Sequence, residues 1–128
     1  MKKILALAAF ILPIAMTEAQ NKADLDPENT LLIDLEGGQV VIELYSDTAP
    51  KHVARIKELA RAGKYDGVAF HRVMEGFMAQ TGDVQHGNKD NGFNMGRAGT
   101  GGSDLPDLPA EFSKLPHDRG TLGAARSQ

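Results

Sequence analysis

The sequence contains no cysteine and no excess of positive charge. Among 128 residues there is no Cys, and 17 Asp and Glu stand against 14 Lys and Arg, for a net charge of −3. The lack of cysteine excludes disulfides, thiol chemistry, Cys-ligated zinc and a lipid-modified N-terminal Cys. Without a basic patch there is no electrostatic reason to expect a nucleic-acid partner. Stability has to come from packing alone.

Sequence patterns typical of metal or phosphate sites are also missing. The four histidines show no two-His spacing of the kind that zinc sites use: His52, His71, His86 and His117. The glycine-rich segment Gly99–Gly102 is not followed by the Gly-Lys-Ser/Thr of a phosphate-binding loop. We therefore expect no metal and no cofactor. His71 is expected to be a hydrogen-bonded structural histidine that faces away from Arg72.

The composition is that of one globular domain. Hydrophobic residues make up 41% and charged residues 24% of the chain, which is unlike a disordered protein. The length is too short for two ordinary domains and sufficient for one modest core.

The N-terminus has the pattern of an export signal. Lys2 and Lys3 precede an apolar run from Ile4 to Met16, shorter than the about 20 residues that span a bilayer. Thr17-Glu18-Ala19 provides a cleavage site, so the sequence predicts a signal peptide over residues 1–19, no stable membrane anchor, and a periplasmic or secreted protein. An uncleaved anchor or a buried N-terminal helix remains the alternative. Residues 20–29 are predicted to be a flexible lead-in.

Two β-rich runs follow this lead-in. Thr30–Glu36 and Gln39–Tyr45 are joined by Gly37-Gly38, a two-residue hairpin signal because both glycines can take positive φ. On the second run, alternate apolar residues are expected to face the core: Val40, Ile42 and Leu44.

A helix is predicted next. Asp47-Thr48 before Pro50 indicates its start, and Gly63 after Ala62 indicates its end. An apolar stripe recurs at helical spacing in Val53, Ile56, Leu59 and Ala60. The charged residues are expected to form a solvated face: Lys51, Arg55, Lys57, Glu58 and Arg61.

A second hairpin carries the candidate site. Val68–Met74 and Phe77–Thr81 are predicted as strands with the turn near Gly76, which places Arg72 across from Gln80 on one face. A guanidinium and a carboxamide beside an apolar surface could bind a small apolar ring and polarise an amide, and the group contains no nucleophile or acid/base pair. The alternative is a structural hairpin whose Arg is a solvated surface charge.

The same stretch resembles the signature of the cyclophilin-type peptidyl-prolyl isomerases. The matching residues are Phe70, His71, Arg72, Val73, Gly76, Phe77, Met78, Gln80, Gly82 and Asp83. The resemblance implies a mainly β fold, a closed antiparallel β-barrel capped by helices. It covers residues 30–128, with the C-terminal part of the domain expected to be missing, so the chain is expected to be a fragment.

The resemblance also implies an activity, peptidyl-prolyl cis-trans isomerisation during the folding of exported proteins. Arg72 and Gln80 would be catalytic, and Phe77 and Met78 would hold the proline ring. Gly99, Ala125 and Arg126 would line the substrate groove, although Ala124 stands where the family usually has Met. The expected partners are proline-containing peptides and unfolded exported proteins, and the expected state is a monomer. The alternatives are a non-catalytic proline-binding or chaperone module, or an inactive fragment.

Overall fold

A computed structural model describes residues 24–126. The predicted signal peptide, residues 1–19, lies outside this range. The chain divides between Glu43 and Leu44 into two compact units. In the described part of the chain no helix is long and apolar enough to cross a membrane.

The first unit contains a short helix and a hairpin. A 3-10 helix, Pro27–Asn29, is capped by Asp26, whose carboxylate accepts the Glu28 N–H at 2.9 Å. The Asp26 cap therefore orders the last residues of the predicted lead-in locally, because a side-chain oxygen satisfies an otherwise free amide at the helix start.

Strands β1 (Thr30–Leu35) and β2 (Gly38–Glu43) form an antiparallel pair. The prediction of two strands is confirmed, but the predicted turn position is wrong by one residue. Leu35 pairs with Gly38, so the turn is Glu36-Gly37, and Gly38 joins the strand with a φ of 138°. On β2, Val40 is 42% exposed and Ile42 is half-buried. The predicted core face is thus only partly covered in this unit.

Helix α1 (Pro50–Arg61) opens the second unit and matches its prediction closely. Pro50 occupies the first turn, and Val53 and Leu59 are buried. At the C-terminal end, Gly63 has a φ of 66° and donates to Ala60 O, while Lys64 donates to Leu59 O. This pair of bonds is the Schellman arrangement, which needs a left-handed residue and therefore favours glycine.

The N-terminus of α1 is capped from a distant part of the chain. Ala49 has no side chain that can cap it. Instead, the Glu111 carboxylate accepts the Lys51 and His52 backbone N–H groups, both at 3.0 Å, and the His52 Nδ1–H at 2.7 Å. Desolvation alone would raise the pKa of Glu111, but these donors outweigh it and lower the pKa to about 2.

One residue of the predicted solvated face is placed differently. Arg55 donates from Nη2 to the carbonyl oxygen of Pro106 at 2.9 Å, and its side chain is only 19% exposed. The prediction of a solvated Arg55 is wrong, because a residue far along the chain supplies the acceptor, which helical periodicity cannot reveal.

Strands β3 (Arg72–Met74) and β4 (Met78–Gln80) form the second hairpin. Both are shorter than predicted. Val68 forms an isolated bridge with Asn88, and Ala69 donates to Gly87 O. The first half of the predicted strand therefore pairs with the glycine-rich region after β4 and not with β4 itself.

The described residues are mainly extended or irregular, with one α-helix and two separate two-stranded sheets. The finer prediction, a closed barrel, is not confirmed within residues 24–126.

Candidate functional site

The β3–β4 hairpin places the predicted catalytic pair side by side. Its register sets Arg72 directly opposite Gln80 and Met74 opposite Met78. Because directly opposite residues on antiparallel strands share a face, these four side chains lie on one face and Val73 with Ala79 on the other. The turn is held by the Phe77 N–H, which donates to Met74 O at 3.1 Å. The predicted pairing of Arg72 with Gln80 is confirmed.

The guanidinium of Arg72 lies along the hairpin face. Its Nη2 donates to Met74 Sδ at 3.3 Å, and the residue is exposed. A thioether is a weak acceptor, so it can orient the guanidinium without using up its stronger donor capacity. Sequence reasoning did not assign a role to Met74, although its i+2 spacing from Arg72 on one strand could have indicated the contact.

Apolar surface adjoins this charge. Phe77 is 75% exposed and lies in the turn, not in the returning strand as predicted. Met78 is half-buried on the Arg72 face. Met78 thus adds apolar surface to the face that carries Arg72, and Phe77 adds an uncovered ring at the turn of the same hairpin.

The glycine segment contacts the residue that precedes Arg72. Gly99 has a φ of +93°, and a Cβ built on it would lie 2.7 Å from His71 Nε2. Only glycine fits there without displacing the imidazole, since both the backbone conformation and the space exclude a side chain. The structure therefore brings the predicted substrate-binding residue Gly99 to the edge of the hairpin.

His71 itself departs from its prediction. Its ring nitrogens, Nδ1 and Nε2, are both buried and find no hydrogen-bond partner among residues 24–126. The expectation of a hydrogen-bonded structural histidine is wrong in this part of the chain. The ring instead packs against the Gly99 backbone.

Asp83 organises the backbone around the glycine segment. The residue is 3% exposed, and its two oxygens accept four backbone N–H groups, from Gln85, His86, Gly99 and Gly101. Burial would raise the pKa of Asp83, but the four donors outweigh it and hold the pKa below its usual value. The sequence signal was the Gly-Asp that closes the signature, but nothing in it revealed the four donors.

The two other predicted groove residues lie in segment 121–126, which has no helix or strand. Ala125 is exposed, and the Arg126 Cζ stands 5.5 Å from the centroid of the Phe112 ring, a cation–π distance. The contact found for Arg126 is therefore with Phe112, and the structure does not unite it with the hairpin.

The chemistry of the site is that of a donor beside an apolar surface. Residues 24–126 contain no cluster of three or more His, Asp or Glu side chains that could hold a metal ion. Arg72 can donate hydrogen bonds, Gln80 can donate and accept, and Phe77 with Met78 can cover a ring. This set suits binding and polarising an amide.

Comparison with known proteins finds relatives of one family. Residues 30–128 match the family model of the cyclophilin type peptidyl-prolyl cis-trans isomerase/CLD. A probable peptidyl-prolyl cis-trans isomerase of Brucella suis is 58% identical over 127 residues, which are 99% of this chain and 64% of that protein. A peptidyl-prolyl cis-trans isomerase of Synechococcus elongatus is 35% identical over 96 residues, 75% of this chain and 58% of that protein.

Among solved structures, a cyclophilin from Hirschia baltica aligns with 59% of this chain and 29% of its own, at 39% identity and a TM-score of 0.47. The chain spans 64% of the length of the Brucella relatives it matches. The match to the family model extends over most of the chain and includes both hairpins and helix α1. The chain belongs to the cyclophilin-type peptidyl-prolyl cis-trans isomerase family.

Proposed function

We propose that the protein catalyses the cis-trans isomerisation of Xaa-Pro peptide bonds. The observation that carries this proposal is the position of Arg72 directly opposite Gln80, on a hairpin face that also bears Met74 and Met78. Membership of the isomerase family supports it.

The reaction suits a site without nucleophile or metal. Rotation about a peptide bond has a barrier of about 18–20 kcal/mol because resonance is lost in the twisted state. In that state the prolyl nitrogen regains a lone pair, and Arg72 donates a hydrogen bond to it. A charge fixed in place before the reaction stabilises such a state without reorganising. No bond is made or broken, and the mechanism calls for no cofactor.

The other residues hold the substrate. Gln80 orients the Arg72 guanidinium or donates to a substrate carbonyl, and Phe77 and Met78 cover the proline ring. Gly99, Ala125 and Arg126 border the peptide on either side of the proline. The Phe77 ring is 75% exposed, which leaves its apolar surface available for such a contact.

The hairpins belong, in this proposal, to a closed antiparallel barrel. The exposed apolar residues on the hairpins support closure, among them Leu32, Val41 and Val73. Hydrogen exchange on the purified protein tests it: closure requires slow exchange of the amides at the outer edges of both hairpins. Fast exchange at those amides would mean that the edges are free.

The substrates in this proposal are proline-containing segments of unfolded exported proteins, which a monomer binds. Slow prolyl isomerisation, tens to hundreds of seconds uncatalysed, delays folding after export. The N-terminal pattern of Lys2, Lys3 and the apolar run supports export. N-terminal sequencing of the protein from a periplasmic fraction is expected to start at Gln20. An intact Met1 on cytoplasmic protein would contradict export.

Exchange spectroscopy on a proline peptide tests the activity. At catalytic amounts of protein, cis-trans exchange of the peptide is expected to become fast while the cis:trans ratio stays constant. A non-catalytic proline-binding module would instead broaden or shift the peptide signals at stoichiometric protein and leave the exchange rate of free peptide unchanged. Circular dichroism of the same sample distinguishes either result from an unfolded chain.

A further inference from the structure

The carboxylate of Asp83 connects two stretches that are far apart in sequence. Its Oδ1 accepts the N–H groups of Gln85 at 3.0 Å and His86 at 2.8 Å. Its Oδ2 accepts those of Gly99 at 2.7 Å and Gly101 at 3.0 Å. One oxygen thus closes a local turn directly after the hairpin, and the other fixes the glycine segment.

The glycine segment in turn contacts the arginine strand. Gly99 packs against the ring of His71, the neighbour of Arg72 in the chain. His71 adds no hydrogen bond of its own, since its ring nitrogens have no partner among residues 24–126. Turn bonds hold the chain locally around the start of the segment, among them Ala98 N–H to Asn94 O and Thr100 N–H to Arg97 O. The Asp83 carboxylate adds the bonds that tie Gly99 and Gly101 directly to the turn after the hairpin.

We propose that Asp83 is a positioning residue, which holds the Gly99–Gly101 backbone in the shape that receives the peptide flanking the proline. This inference rests on the proposed isomerase function. Asp83 is itself 3% exposed and cannot touch a substrate. It acts through the glycine segment, on substrate binding, and not through Arg72 on the chemical step.

The expected kinetic signature follows from where the carboxylate acts. Glycine has more backbone freedom than any other residue, so a released glycine segment samples many conformations. Ordering the segment again costs free energy whenever a substrate binds. The substrate and the transition state are then bound less tightly by the same amount, so KM rises and kcat is unchanged.

Asp83→Asn is the informative variant. An Asn oxygen can still accept from Gln85 and His86, since Asn readily forms this kind of local turn. Its NH2 group then faces the Gly99 and Gly101 N–H groups, so only the long-range pair of bonds is lost. Asp107→Asn, which removes the same charge from an exposed loop position, is the matched control.

Gly101→Ala disturbs the same contact from the other side. A Cβ on Gly101 would lie 2.6 Å from Asp83 Oδ1 and 2.9 Å from the Gln85 Cβ, so the segment has to move. This variant keeps the carboxylate itself. It therefore separates the effect of displacing the glycine segment from the effect of removing the charge of Asp83.

The experiment measures KM, kcat and amide exchange in the purified protein and these three variants. We expect Asp83→Asn and Gly101→Ala to raise KM several-fold at nearly constant kcat and to accelerate exchange of the Gly99 amide, and Asp107→Asn to change none of these. An unchanged KM in Asp83→Asn, or a loss confined to kcat, would overturn the proposal. So would a lowered Tm without any change in KM, which is the result for a merely structural residue.

Failure of the positioning role of Asp83 can be distinguished from failure of the proposed isomerase activity. If the wild-type protein shows no turnover, the proposed function fails, and the dissociation constant for a proline peptide replaces KM as the readout. A several-fold weaker affinity in Asp83→Asn then still supports the positioning role, and an unchanged affinity rejects it.

Discussion

Glu111 accepts a hydrogen bond from His52 Nδ1 at 2.7 Å, although 59 residues separate them in sequence. Because an ionised carboxylate can only accept, the proton lies on the imidazole nitrogen. The same carboxylate accepts the backbone N–H groups of Lys51 and His52. A single side chain from an irregular segment therefore caps helix α1, where a negative charge also complements the helix dipole.

Glu111→Ala is expected to destabilise the protein. The substitution removes the acceptor of two amides in the first turn of α1 and of the His52 ring N–H. The bond from Arg55 to Pro106 O is left to tie the distant segment to the helix. A thermal melt should show a lower Tm, whereas Glu36→Ala, in the exposed turn of the first hairpin, should leave Tm nearly unchanged. Equal Tm values for the two variants would show that the Glu111 contacts contribute nothing to stability.

Acid should destabilise the folded protein within a defined window. The pKa of Glu111 falls from its ordinary 4.5 to about 2 in the folded state, so the unfolded state binds the proton more readily. The stabilisation is complete above pH 4.5 and is lost as the pH falls toward 2. The lowered pKa of Asp83 acts in the same direction.

Melts recorded from neutral pH downward check this linkage. The Tm of the wild type should fall through that window. The Tm of Glu111→Gln should be lower at neutral pH and should fall less steeply with acid, because residue 111 no longer titrates. An equal slope for the two proteins would assign the acid sensitivity to other groups.

Local elements were predictable from the sequence, and long-range contacts were not. The start of α1 at Pro50 and its end before Gly63 follow from local chemistry, since Pro fits a first turn and Gly a left-handed C-terminal residue. The cap by Glu111 and the bond from Arg55 to Pro106 O join residues more than 50 positions apart. No periodicity in the chain carries that information.

The candidate site likewise has features that the sequence predicts and others that it does not. The pairing of Arg72 with Gln80 was predictable because a short turn at Gly76 fixes the register. The contact of the Arg72 guanidinium with Met74 was missed although their i+2 spacing on one strand could have indicated it. The four donors to Asp83 were not predictable, because they lie in loops with no repeating pattern. The length of β3 was overestimated because strand propensity ignores the competing pairing of Val68 with Asn88.

Gly99→Ala is expected to be destabilising. Its φ of +93° and the 2.7 Å approach of His71 Nε2 both oppose a side chain, at a cost of about 1–3 kcal/mol in the free energy of unfolding. Gly102→Ala is the matched control, since its φ is not positive and a Cβ there would meet nothing within 4 Å. Denaturant unfolding of the two variants tests the difference, and equal stability would mean that Gly99 needs no glycine.

The rate constant of Arg72→Ala tests the central claim most directly. Loss of one preorganised donor is expected to lower kcat/KM for a Xaa-Pro peptide by about 10²- to 10³-fold, with circular dichroism and Tm unchanged because the side chain is exposed. Arg119→Ala, which removes an exposed arginine from another turn, should turn over like wild type. A folded Arg72→Ala protein with near-wild-type turnover would contradict the assignment of Arg72 as the catalytic donor.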